Sequence, residues 1–573
     1  MTIQGLARSI VGERTWSLVM DAAVFGAVMA VGCAVLLVGH TWLGPMEPHV
    51  EISRSPAALP LYSLYSLVRM AVAYLLSLLF AVTYGYIAAY NKRLQGIMLA
   101  LLDILQSIPV LSFLPGVMLA MVALFPTRQL GVEFGSIVLI FTGQVWNMAF
   151  SFYASLKAIP KELREATMVY RFGWVQRFLQ LELPYAAIGL VWNSMVSVAG
   201  GWFFLMACEM FQLGQRDFRL PGLGSYLQSA ASAGDTGAIL WGLSAMIAVI
   251  ILLDQFVWRP AIAWSEKFKF EQVEATAAPE SWLLNLLRKS PLLTRVQELT
   301  FAPLEEKLCR RTAEPATRTP DRSASRVVLA VIVAATFSTA IGYGVFEGVT
   351  TLRGISGSAL LTTIESAGAT FTRVAVALIV ASLWTIPAGV AIGFSPRLAR
   401  IAQPLAQIAA SVPATALFPV VLLALIRLGG GLTAGSVLLM LLGTQWYILF
   451  NVIAGATAIP SEFHEVAEIF RFSRLDTWRT VILPGIFPYL VTGLVTASGG
   501  AWNASIVAEY FHFQGKVLQT FGLGAEISSA TDAGNYAVLL LSTVVMATLV
   551  VTVNRALWRP LYHLAETRYK LEG

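Results

Sequence analysis

The sequence predicts an all-α polytopic membrane protein of about twelve spanning helices, laid out as two parallel six-helix repeats. Three observations carry that reading: long apolar segments, a low charge content and a collinear internal repeat. Of 573 residues, 57% are hydrophobic and 13% charged, against about 25% charged in soluble domains. Backbone in hydrocarbon must hydrogen-bond within its own segment or around a closed barrel. The short alternating strands of a barrel do not occur in the sequence.

The first six spans are read at 16–41, 62–90, 95–125, 134–157, 185–206 and 237–258, and the second six at 327–348, 369–394, 399–426, 432–455, 485–508 and 535–557. The first apolar run is too long for a signal-peptide core, so a retained first helix is expected. Cys33, Cys208 and Cys309 form neither a disulfide framework nor a metal spacing. The net charge of +6 resides largely in short loops, which gives nucleic acid no binding surface.

Loop charge sets the expected orientation. Arg8, Arg14, Lys92, Arg93, Lys157, Lys161, Arg164, Arg171 and Arg177 fall on one side. Arg54, Arg128, Arg216 and Arg219 fall on the other, offset by Glu47, Glu51, Glu133, Asp217 and Asp235. Both termini and the central linker are therefore expected in the cytoplasm of a bacterial cell, with the chain in its inner membrane.

Residues 69–94 align with 373–398 at an offset of 304, and Ser107, Pro109 and Pro115 return as Ser411, Pro413 and Pro419. After a four-residue length change near 126–133 the offset becomes 300. Trp146, Pro160, Pro184, Trp202, Glu209 and Gly222-Leu-Gly then return as Trp446, Pro460, Pro484, Trp502, Glu509 and Gly522-Leu-Gly. Repeats of six spans each enter and leave on the same side, placing a pathway between two pseudo-equivalent halves. The units are read as 1–260 and 326–573, joined by a polar, basic tether at 261–325 with short helices at Leu283–Leu287 and Pro303–Cys309. Pro109, Pro115, Pro413 and Pro419 are expected to kink the third spans.

Between spans four and five, each unit has a loop of about 25 residues, long for a connection between packed spans. Pro160 and Pro460 suit a first helical turn. Leu163, Ala166, Thr167 and Tyr170 form a stripe at helical spacing, repeated by Phe463, Val466, Ala467 and Phe470. Glu162, Arg164 and Glu165, or Glu462, His464 and Glu465, occupy the opposite face. A second short helix starts at Gly173 or at Ser473, where Asp476 completes a capping box. Pro184 and Pro484 mark the return to the membrane. Two readings stand for this amphipathic hairpin: an interfacial helix, or a surface that docks a two-fold cytoplasmic partner.

The E-A-A…LP loop, with nineteen residues from Glu165 to Pro184 and from Glu465 to Pro484, resembles the coupling loop of binding-protein-dependent ABC importer permeases. SIPVLSFLP and SVPATALFP, with ACEMF…GLGSYL and VAEYF…GLGAEI, resemble the nitrate/sulfonate/taurine branch of that family. The resemblance implies a fused, duplicated permease for a small anion: nitrate, sulfonate, taurine, bicarbonate or an organic carboxylate. It also implies two ATP-binding cassette subunits, which would hold ATP and Mg, and an external solute-binding protein. Where the family usually has Gly six residues after the Glu, this chain has Arg171 and Arg471, so the flexible position is expected to shift to Gly173 and Ser473.

The chain has no G-x-x-x-x-G-K-[ST] loop, nucleophile elbow or zinc motif, so it is not expected to be an enzyme or to hold a cofactor or metal. Ionisable residues near spans are functional candidates because burying them is costly. Arg69 with Glu209, and Arg373 with Glu509, are expected to pair near the outer boundary, for structure or for gating and anion attraction. Asn193, Ser194, Ser197 and Trp202, with Thr496, Ser498, Trp502 and Asn503, are candidates for a polar pathway or for plain helix contacts. A 6+6 secondary transporter shares the repeat, but NKRL and SPRL lack its G-x-x-x-D-R pattern. A non-transport scaffold has no feature in its favour.

Overall fold

The computed structural model describes residues 37–45, 50–213, 216–268, 281–287, 342–427, 431–513 and 516–568, with single positions within 22–33, 295–307 and 335–339. The expected first spans at 16–41 and 327–348 lie mostly outside the described residues, as do Cys309 and most of the tether. Within the tether, Trp282–Leu287 is helical.

The first half contains α1 (Leu59–Tyr90), α2 (Lys92–Ser107), α3 (Leu114–Leu124), α4 (Leu130–Ala158), α5 (Lys161–Val169) and α6 (Trp174–Glu209). A two-stranded hairpin follows (β1 Gln212–Leu213, β2 Arg216–Asp217), then α7 (Leu223–Ala233) and α8 (Thr236–Phe268). After α9 (Trp282–Leu287), the second half repeats the order as α10 (Gly357–Phe394), α11 (Pro396–Ser411), α12 (Ala414–Arg427), α13 (Leu432–Thr457), α14 (Ser461–Ile469) and α15 (Arg474–Ala508). The hairpin β3 (Tyr510–Phe513) and β4 (Lys516–Gln519) leads to α16 (Leu523–Asp532) and α17 (Tyr536–Ala565). Among the described residues eight helices are long and apolar enough to cross a membrane. With the two third segments and the mostly undescribed first spans, this is consistent with the twelve expected.

The third segments are broken, not kinked. Proline disfavours the helical region for the residue before it, and Ile108 before Pro109 and Val412 before Pro413 are both extended. Pro115 then lies in the first turn of α3, and Pro419 sits inside α12. The pieces cross between halves: Val110–Phe113 packs on α15, while α12 packs on α6 and α8. Leu111 N donates to Asn503 Oδ1 at 3.4 Å, and Thr543 Oγ1 to the Ser112 carbonyl at 3.4 Å.

The fifth spans extend well beyond their expected starts. Each begins in the loop that follows the fourth span and passes through one π-helical turn, Phe178–Glu182 or Trp478–Ile482. The proline ring at 184 or 484 would meet the carbonyl four residues back; widening the preceding turn relieves that clash without ending the helix. The sixth spans behave alike, with π turns Asp254–Trp258 and Asn554–Trp558 before Pro260 and Pro560. Pro184 and Pro484 therefore lie within continuous helices, and the expected second short helix is the first turn of the fifth span.

Candidate functional site

The loop between α4 and α6 is a helical hairpin in both halves. Pro160 and Pro460 precede α5 and α14 in extended geometry. Thr167 and Ala467 are buried against the body of the protein, while Tyr170 is 75% and Phe470 69% exposed. Met168, Val169 and Trp174 are exposed beside Tyr170, as are Phe463, Val466, Ile469 and Leu475 beside Phe470. Ala166 is half-buried, and Glu162, Glu165, Glu462 and Glu465 are all exposed.

Arg164 departs from the expected charged face. It is half-buried, and its guanidinium donates to the Leu156 carbonyl at the end of α4, tying the hairpin to the membrane helix. The side chain of His464 lies outside the described residues. Gly173 and Ser473 are ordinary extended N-caps, not the flexible positions. Ser473 Oγ accepts from Asp476 N at 3.2 Å and donates to Asp476 Oδ2 at 2.6 Å.

The left-handed residues of the two hairpins are Arg171 and Arg471, with φ of 53° and 51°. Each closes its helix as a Schellman motif. Arg171 N donates to Met168 O at 3.1 Å and Phe172 N to Thr167 O at 2.9 Å; Arg471 N donates to Glu468 O at 3.0 Å and Phe472 N to Ala467 O at 2.9 Å.

At the opposite membrane face, α1, α4 and α6 converge on Arg69, which is fully buried. Arg69 Nε and NH2 grip Glu133 through both carboxylate oxygens, at 2.6 and 2.7 Å. NH1 donates to Glu209 Oε1 and to the Pro221 carbonyl, both at 2.8 Å. Glu209 also accepts from Ser66 Oγ at 2.6 Å and Gly224 N at 2.7 Å.

The second half keeps part of this arrangement. Arg373 NH1 donates to Glu509 Oε1 at 2.8 Å, and Glu509 Oε2 accepts from Gly524 N at 2.8 Å. Thr370 does the work of Ser66, donating to Glu509 and accepting from Leu523 N at 2.8 Å. Thus both expected ion pairs form, and each anchors the start of the short helix after the hairpin. The Gly-Leu-Gly motif follows from that anchoring: a Cβ at Gly222 or Gly522 would lie 2.3 Å from the carboxylate of Glu209 or Glu509.

The repeat did not reveal Glu133 as part of this cluster. Its equivalent is Thr433: Ser136 Oγ donates to Glu133 O at 2.7 Å, and Ser436 Oγ to Thr433 O at 2.8 Å. An acidic residue one turn into a span, level with a buried arginine, was the available signal.

A model of the binding-protein-dependent transport system inner membrane component family matches residues 81–257 and again 385–559, together more than half of the chain. The chain belongs to that family. It carries the family's domain twice, as a fused, duplicated permease.

The relatives of this permease include the nitrate import permease protein NrtB of Leptolyngbya laminosa, 29% identical over 31% of this chain and 60% of that protein. The taurine transport system permease protein TauC of Escherichia coli (strain K12) is 31% identical over 33% of this chain and 65% of that protein. The bicarbonate transport system permease protein CmpB of Synechococcus elongatus is 30% identical over 25% of this chain and 49% of that protein. The chain thus spans about half to two-thirds of the length of these curated relatives. It is a multi-pass inner-membrane protein with apolar spanning helices.

Of the residues expected from sequence to line a pathway, several are buried or bonded to neighbouring helices. Trp202 and Trp502 are 2% and 1% exposed, packed in the core by their bulk. Asn193 donates to Ser151 Oγ at 3.0 Å within its own half, bonding α6 to α4. Ser194 Oγ points to Met148 Sδ at 3.3 Å, and Ser498 Oγ accepts from Trp558 Nε1 at 3.3 Å. Among the described residues, Asn503 alone of this group is bonded across the halves, through Leu111.

The two halves also differ at the base of the loop between the fourth and fifth spans. Glu182 is buried and accepts from Tyr90 Oη and from Arg177 Nε, the latter at 2.8 Å. Ile482, Phe394 and Thr477 stand at the equivalent positions. In the first hairpin beyond the membrane, burial pushes the Asp217 carboxyl up, but hydrogen bonds from Arg219 outweigh it and hold the group below its usual range. Val517 and Gln519 replace that pair.

Proposed function

We propose that the chain is the membrane-spanning subunit of an ATP-driven importer of a small anion, with both termini and the tether in the cytoplasm. Solute arrives on an external binding protein. Two separate ATP-binding cassette subunits, which hold ATP and Mg, dock on the helical hairpins at 160–184 and 460–484. The observation that carries this reading is the paired hairpin itself. Two copies expose large apolar side chains, Tyr170 and Phe470 at the tips, with Glu162, Glu165, Glu462 and Glu465 exposed on the same helices. An exposed apolar tip on a helix with exposed charges suits a groove that accepts a helix. Nitrate, taurine and bicarbonate permeases among the relatives support the anion class. No chemistry is assigned to the chain itself.

Closure of the ATPase pair would draw the two hairpins together and re-orient the halves about the crossed third segments. Because α5 and α14 are capped rigidly and α6 and α15 run unbroken from hairpin to far face, a push at one end reaches the Glu209 and Glu509 anchors. The test is Glu165→Lys combined with Glu465→Lys, co-expressed with the cognate ATPase. The double variant is expected to insert normally but to lose ATPase co-purification and uptake. Retained co-purification together with retained uptake would overturn the docking role.

A further inference from the structure

The first half shows what the second half lacks. Arg69 is saturated: Glu133 occupies the Nε/NH2 edge with both carboxylate oxygens, while Glu209 and the Pro221 carbonyl take NH1. One cation therefore faces two carboxylates. In the second half Thr433 replaces Glu133, and the equivalent edge of Arg373 has no carboxylate. Its NH2 donates to Thr520 Oγ1 at 2.9 Å, Thr520 Oγ1 lies 3.1 Å from Thr433 Oγ1, and Nε has no acceptor among the described residues. The site is also open where its counterpart is sealed. The Arg373 side chain is 11% exposed against 1% for Arg69, and Thr433 is exposed where Glu133 is buried.

We propose that the Arg373–Thr433–Thr520 notch binds a small oxyanion, with the Glu133 carboxylate of the first half marking the position and orientation such a ligand takes. Two oxygens of a planar anion would accept from the Nε/NH2 edge, as Glu133 does, in the fork geometry that suits arginine. The Thr433 and Thr520 hydroxyls would donate to the ligand from the side. The ligand would give Arg373 the second anionic partner that Glu133 gives Arg69. Its class is a carboxylate- or nitrate-like ion with two oxygens in one plane, small enough to stand where a single carboxyl group stands. A spherical halide offers only one acceptor point to that edge. The inference goes beyond the importer reading, because binding is read on the isolated chain and does not need ATPase coupling.

The experiment is thermal unfolding of the purified full chain in detergent, titrated with potassium formate or nitrate against potassium chloride at constant ionic strength. Wild type is expected to gain roughly 2 °C or more in formate or nitrate over chloride at a concentration well above its Kd. Thr433→Glu places a tethered carboxylate in the notch and should unfold at a higher temperature in chloride, with no further response to either oxyanion. Thr433→Val keeps the volume but removes a donor, and should shift the titration midpoint to higher concentration by roughly fivefold to tenfold. An unchanged melting temperature in wild type, equal stabilisation by chloride, or an undiminished oxyanion response in Thr433→Glu would each overturn the proposal. If Thr433→Glu does not fold, Thr433→Val decides alone: an unshifted midpoint overturns it.

Discussion

The two halves share one backbone plan yet hold it together differently. In the first, buried charges sit at both membrane faces: Arg69 with Glu133 and Glu209 at one, Glu182 with Tyr90 and Arg177 at the other. Lys157 adds a bond to the Ala89 carbonyl at 2.7 Å. In the second, Thr433, Ile482, Phe394, Thr477 and Thr457 stand at the equivalent positions. The elements common to both are the glutamate that caps the Gly-Leu-Gly helix, its arginine, the broken third segment and the left-handed arginine of the hairpin. Those common elements are what the fold requires. The extra charges belong to one half only, and a buried charge that loses its partner costs far more than it contributed. The first half should therefore be the brittle one.

The largest expected effect tests that brittleness. Arg69→Leu leaves two carboxylates buried and should cost about 3–5 kcal/mol or more, enough to abolish accumulation of folded protein. Arg373→Leu leaves one carboxylate at a partly open site and should cost less. Removing Glu209 alongside Arg69 will not restore the first half, because Glu133 remains unpaired. Recovery there needs Arg69→Leu, Glu133→Gln and Glu209→Gln together, whereas Arg373→Leu with Glu509→Gln should suffice in the second. Melting temperature and yield after detergent extraction measure this. Equal losses for Arg69→Leu and Arg373→Leu would break the comparison.

A smaller effect sharpens it at the shared anchor. A Cβ at Gly524 would lie 2.3 Å from the backbone oxygen of Ser505, whereas at Gly224 it meets the Met206 carbonyl at 2.9 Å. Neither carbonyl can step aside as a flexible side chain can, and the closer approach should make Gly524→Ala the costlier, at the upper end of about 1–3 kcal/mol. Thermal unfolding of the two single variants gives the ranking. A costlier Gly224→Ala would show that the first half is the tighter one at this helix start as well.

What could be read from the sequence followed the same division. The repeat placed Arg69 with Glu209 and Arg373 with Glu509, because both members of each pair recur at constant offsets. Glu133 has no recurring partner and sits where the offset changes, so it passed for one more acidic loop residue. The prolines of the third segments were visible, but whether a proline kinks or breaks a helix depends on what receives the freed backbone. Here the pieces cross onto the other half, which no local pattern encodes. The continuous fifth helix was hidden for the related reason that Leu-Pro looks like a boundary until a π turn accommodates it. At the hairpin, the departure from the family's glycine suggested a moved turn, yet the helix end keeps its geometry and forces Arg171 and Arg471 into it.

That strain supplies the smallest expected effect, and the one on which the halves should agree. A non-glycine residue in the left-handed region costs roughly 1–2 kcal/mol, and glycine returns about 0.5–1 of that through the freer unfolded chain. Arg171→Gly and Arg471→Gly should each stabilise their own hairpin by about half to one kcal/mol. Such a gain is small against global unfolding but large against local opening. The measurement is hydrogen exchange of the Phe172 and Phe472 amides, which close the two Schellman motifs onto Thr167 and Ala467 at 2.9 Å. Both should slow by roughly twofold to fivefold. The near-identical φ values predict matched responses. If Arg171→Gly slows exchange and Arg471→Gly does not, the Arg471 side chain stabilises its hairpin through contacts that offset the strain. The asymmetry between the halves would then extend to the hairpin tips.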